Sequence, residues 1–90
     1  MIEKLIAIEE FDGCVAYDCG ALLYINLKKG TTASNHSHNH EETIFLMTGE
    51  AEAIIGDKAY LVKAPIKAVI PANTFHKFTA LTDLIGLELK

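Results

Sequence analysis

Short apolar runs, closely spaced turn signals and the lack of any helical period predict an all-β sandwich or barrel. Ile, Val, Leu, Tyr and Phe cluster in brief segments. Asp12-Gly13, Gly20, Gly30, Gly49, Gly56-Asp57, Pro65 and Pro71 punctuate them. No stretch repeats its apolar residues at helical spacing between recognisable caps. Closing the sheet into a barrel also removes the bare edges that endanger a small β-protein.

The elements follow in order. Residues 4–9 and 14–18 read as strands on either side of Asp12-Gly13, and 22–28 as a third between Gly20 and Gly30. Residues 36–40 alternate histidine with Ser37 and Asn39, the period of a strand with all its imidazoles on one face. Residues 43–48 end at Gly49. Residues 51–55 and 59–63 flank Ile55-Gly56-Asp57-Lys58, whose composition suits a tight hairpin turn. Residues 67–70 stop at Pro71. Asn73 then suits a left-handed turn position, after which 76–80 and 84–89 complete the set.

The chain has 90 residues and reads as a single domain, 1–90. A domain of this size buries only about 60–65% of its unfolded surface, so bound metal or a second subunit is a natural source of further stability. Half the residues are hydrophobic and 22% are charged, a globular composition. The net charge of −4, with no basic stripe, argues against nucleic acid as a partner. No apolar run reaches the roughly 18–20 residues that span a bilayer, and the charged N-terminus does not read as a signal peptide. The expectation is a cytoplasmic protein without a membrane partner. Cys14 and Cys19 form neither a disulfide framework nor a C-x-x-C pair, and read as two small, partly buried thiols in neighbouring strands.

His36, His38 and Glu42 are the residues that suggest chemistry. Imidazole and carboxylate together bind divalent transition metals without thiolate. On a strand His36, His38 and Glu42 share parity, as a chelate with donor distances of about 2–2.3 Å requires. His76 reaches the same ion if its strand lies alongside. Spacing alone leaves two alternatives open, a metal site or an exposed polar loop, and His76 by itself reads more readily as a surface histidine. Ser34 and Ser37 lack the strand–turn–helix setting of a serine nucleophile. Metal-centred chemistry is therefore the only catalysis the residues suggest.

These residues resemble the cupin superfamily. Its first motif, G-x5-H-x-H-x3-E-x6-G, is matched throughout by Gly30, His36, His38, Glu42 and Gly49. Its second, G-x5-P-x-G-x2-H-x3-N, is matched by Pro71 and His76. Pro65, Asn73 and Ala80 stand where the motif has Gly, Gly and Asn, and Ile66 where an acidic residue is common. The resemblance implies a cupin/jelly-roll β-barrel (a double-stranded β-helix) with its core at about 22–89. It implies His36, His38, Glu42 and His76 as ligands of one divalent transition metal ion: iron, manganese, nickel, copper or zinc.

On this reading His40 is a surface histidine and Glu41 faces solvent. Ile44 and Leu46 share parity with Glu42, and Phe78 with His76, which makes these three the candidate substrate-pocket residues. No arginine occurs in the chain, so no guanidinium clamp is present for a strongly anionic substrate. The family resemblance implies a small-molecule substrate and a homodimer, with residues 2–11 as an edge or exchanged strand. It also implies either a metal-dependent, dioxygenase-like oxidoreductase or a non-catalytic module that binds or senses a small molecule or metal. The sequence identifies neither a catalytic residue nor the substrate.

Overall fold

The computed structural model describes residues 1–35 and 37–90, without the Asn35 side chain, and among these residues ten antiparallel strands form. His36 lies outside the described residues. The strands are β1 (Ile6–Phe11), β2 (Cys14–Asp18), β3 (Leu22–Leu27), β4 (Thr32–Asn35), β5 (Glu42–Thr48), β6 (Glu50–Ile55), β7 (Lys58–Lys63), β8 (Ile66–Ile70), β9 (His76–Ala80) and β10 (Leu84–Leu89). They form two sheets that face each other, one ordered β1-β2-β3-β10-β5-β8 and the other β4-β9-β6-β7.

The expected all-β barrel is what the chain adopts. Alternation sets the inward rows. On β5 these are Glu42, Ile44 and Leu46, and on β10 Leu84, Gly86 and Glu88, each opposite or near its neighbour across the ladder. The core is modest. Cys14, Leu27, Leu46, Ala51, Ala80 and Leu84 are buried together, with Ile25, Val62, Ile66 and Phe78 packed against them.

Three turns have local causes. Gly56 opens the β6–β7 hairpin at φ 64, the first central position of a primed turn. Asn73 takes φ 58, the left-handed conformation its short amide side chain tolerates. Gly49 joins β5 to β6 at φ 90, and a Cβ there would collide with the backbone oxygen of Asp83 and with Leu84.

Two expectations need correction. Residues 37–40 are not a strand. The strand of this region is β4, which ends at Asn35 and pairs with β9 in one sheet, whereas β5 pairs with β10 and β8 in the other. The chain must leave one sheet and enter the other between them, so no ladder is available to residues 37–41. The cysteines do not occupy neighbouring strands either. Cys14 begins β2 and is buried, while Cys19 lies just past the end of the same strand and is exposed. Burial, and then the charge of nearby Glu9, raises the Cys14 thiol above its ordinary value.

Candidate metal centre

Two crossovers meet at one end of the barrel. The first runs from β4 to β5, and the second, residues 71–75, from β8 to β9. They are tied together where the Asn73 N–H donates to the His38 carbonyl. Glu42 is the first residue of β5 and His76 the first of β9, so each stands where its chain enters a sheet beside the opposite crossover.

His76 is 1% exposed. Its Nδ1 lies 3.1 Å from the Thr74 carbonyl oxygen. A carbonyl only accepts, so Nδ1 carries the proton and donates, leaving Nε2 with its lone pair. Among the described residues that buried Nε2 has no hydrogen-bond partner, and it stands 3.8 Å from Glu42 Oε1, which is also buried. Two acceptors facing each other in a dry site are unfavourable without a cation or proton donor between them. His38 approaches the same oxygen, its Nε2 3.4 Å from Glu42 Oε1, and its ring centroid lies 6.3 Å from that of His76. Imidazole fixed through Nδ1 to a carbonyl, with Nε2 turned to a carboxylate, is the arrangement of a ligand histidine. The residues present therefore fit a divalent ion. Among the described residues no three donors are yet drawn into a closed cluster, and the His38 side chain is 43% exposed on its loop.

The expected ligands thus divide. His38, Glu42 and His76 gather at one end of the barrel, and His36 is outside the described residues. The shared strand face invoked for His38 and Glu42 is not what unites them, since the loop folds His38 over the start of β5. His40 is exposed, as expected, but its ring centroid lies 5.6 Å from that of His38, so it borders the site. Glu41 is exposed.

Ile44, Leu46 and Phe78 line one apolar cavity of about 60 Å³ inside the barrel. A wider cavity of about 310 Å³ opens beside the histidines, bordered by His38, His40, Glu42, Glu9, Glu88 and Lys90 among others. Sequence reasoning overlooked Glu88. Its side chain hydrogen-bonds Glu42, and burial pushes it up to about 8, helped by that bond and by the charges of Glu42 and Glu9. Its parity with Leu84 and Gly86 on β10 is the signal that exposes it.

A model of the cupin domain family matches residues 23–88, well over half of the chain. The chain belongs to this family. Solved structures share the fold. The plu4264 protein from Photorhabdus luminescens superposes with a TM-score of 0.79 at 17% identity, over 99% of this chain and 85% of that one. CapF from Staphylococcus aureus, a capsular polysaccharide assembling protein, gives 0.82 at 19% identity, over 98% of this cupin but only 28% of its own length. A salicylate 1,2-dioxygenase from Pseudoaminobacter salicylatoxidans gives 0.70 at 12% identity, over 74% of this cupin and 20% of that chain. At such identities the likeness is one of fold. No curated protein matches the cupin by sequence. Among the described residues no helix is long and apolar enough to cross a membrane.

Proposed function

We propose that this cupin binds one divalent transition metal ion through His36, His38, Glu42 and His76, and uses it on a small molecule. The observation that carries the reading is the buried Nε2 of His76, which has a carboxylate opposite and no hydrogen-bond partner among the described residues. Three imidazoles and one carboxylate leave open positions on an ion that accepts six ligands. A bound ion would polarise an oxygen-donor ligand and, if redox-active, bring dioxygen chemistry to it. The protein's own residues then have separate tasks. Thr74 fixes the His76 tautomer through its carbonyl, Glu42 supplies the negative charge, and Ile44, Leu46 and Phe78 exclude water from the apolar side.

The dioxygenase-like reading is supported by the donor set and by the fold shared with a salicylate dioxygenase. A second reading, a module that binds metal or a small molecule without turnover, is favoured by the small interior cavity of about 60 Å³. The experiment loads protein purified without a metal-affinity tag with Fe(II) under nitrogen. It then measures bound iron and follows oxygen uptake with small thiols, diketones and catechols. Near-stoichiometric iron with uptake supports the enzyme. Iron binding without uptake supports the module, and metal content below about a tenth of an equivalent sinks both.

The same proposal treats 1–90 as a single cytoplasmic domain that works as a homodimer, with neither nucleic acid nor membrane as partner. The acidic balance of the chain and the bare edge of β1 support it.

A further inference from the structure

Glu88 belongs to neither motif, yet it stands where three cavities meet. It borders the interior cavity that Ile44, Leu46 and Phe78 line, and is the single ionisable group among the described residues there. It also borders the cavity beside His38 and Glu42, and a third of about 300 Å³ between β1 and β4 that reaches Glu9 and Ser34. The inward row of β10 runs Leu84, Gly86, Glu88, so the strand delivers a carboxyl where its neighbours deliver apolar surface or none. No packing requirement explains that choice, because an apolar residue would suit both Leu23 on β3 and Ile44 on β5, its partners across the two ladders.

Carboxyls outnumber cations around this point, with His38, His40 and Ser34 as the neutral polar groups beside them. Glu9, Glu42 and Glu88 present carboxyl oxygens, and the one lysine bordering the opening, Lys90, is held by Asp18. Among the described residues the buried Nε2 of His76 has no hydrogen-bond partner and faces Glu42, which adds one more acceptor on the buried side. An anionic head group would face three glutamates here, whereas a hydroxyl or amino group finds an acceptor at the threshold of an apolar chamber. That chamber takes a short alkyl group; an aromatic ring needs a cavity nearer about 150 Å³.

We infer that Glu88 is a positioning residue for a small ligand with a short apolar body and a hydrogen-bond-donating head. The body enters the interior cavity, and the hydroxyl or amine donates to the Glu88 carboxyl beside the histidine cluster. This rests on the reading of that end of the barrel as the ligand-binding end.

The test is an isotope-resolved NMR titration of the full chain with n-butanol, n-butylamine and butyrate, each with and without equimolar zinc. The two donor probes are expected to bind about tenfold tighter than butyrate, the worth of one hydrogen bond, with shifts at Ile44, Leu46 and Phe78. Glu88→Leu should abolish that preference in the metal-free protein by weakening both donors about tenfold without weakening butyrate. Glu88→Gln keeps the shape and a carbonyl acceptor, so it should retain n-butanol. It serves as the readout if Glu88→Leu does not fold. A purely structural role for Glu88 would weaken all three probes alike, and that result overturns the inference. So does a wild-type preference for butyrate in the metal-free protein, or the absence of binding by any probe. Zinc uptake without donor preference overturns this inference alone. Donor preference in a protein that takes up no zinc supports Glu88 and removes the metal reading instead.

Discussion

His76 shows how much one side chain can report. Its imidazole is buried, oriented by the Thr74 carbonyl, and among the described residues its second nitrogen has no hydrogen-bond partner opposite Glu42. His76→Ala should reduce zinc uptake to a small fraction of wild type and cost about 2–4 kcal/mol through the void it leaves. His40→Ala should leave the zinc stoichiometry unchanged, because His40 is exposed and reaches only the His38 ring. Elemental analysis and thermal melting of both variants check this, and equal metal loss in the two would place the ligands elsewhere. Glu88 gives a second prediction, for the metal-free protein. Its folded value is raised from 4.5 to about 8. Between those limits the folded state holds more protons than the unfolded one, so the Glu88 contribution is full below the lower limit and is lost as pH rises to the upper. Glu88→Gln should therefore gain melting temperature relative to wild type between about pH 5 and pH 8.5, and a constant difference would contradict the raised carboxyl. The candidate ligands were legible because their motif is local and chemically distinctive. Glu88 was not, because its role depends on which face of β10 closes over Glu42, and a lone glutamate near a chain end gives no local sign of that.

At the scale of elements, most strands were legible from alternation bounded by glycine, proline and asparagine. Strands β2, β9 and β10 begin and end where that pattern predicts. The exception, 37–40 of the expected 36–40, has the period of a strand but no apolar face. Period alone does not earn a place in a ladder, and here the chain is occupied in crossing between sheets. The unrecognised strand, β4, is short, Thr32–Asn35, and its pairing with β9 depends on a partner more than forty residues away that no local pattern discloses. Gly49 is the element-scale test of the first motif. It combines φ 90 with a neighbouring backbone oxygen where a Cβ would sit. Strain of this kind costs about 1–3 kcal/mol from the backbone alone, and the collision with Asp83 adds to it. Gly49→Ala should lower the melting temperature clearly while leaving residual zinc binding in whatever fraction stays folded. Unchanged stability in urea titration would mean the turn relaxes freely, and the motif glycine would then need another explanation.

The whole molecule is small enough that its edges matter as much as its core. Every residue of β1 is exposed although the strand pairs with β2 on one side, with a register shift at Ile8. Ile6 at 72% and Ile8 at 54% exposure are large apolar side chains that a lone barrel leaves in water. A six-residue strand with a free side and such residues is a template for another chain. Within Ile6–Phe11 there is no proline and no lysine; the charges of Glu9 and Glu10 and the register shift at Ile8 are what stand against pairing. A twofold pairing would cover the same surface on both copies and close the assembly, the commonest route for a homodimer. The expected outcome in sedimentation velocity is a dimer at micromolar concentration. Ile8→Lys places a charge on that surface without touching the interior, so it should shift the chain to monomer and lower its melting temperature, with zinc uptake retained by the folded fraction. A wild-type chain that sediments as a monomer at every concentration would show that the exposed face of β1 serves something other than self-association.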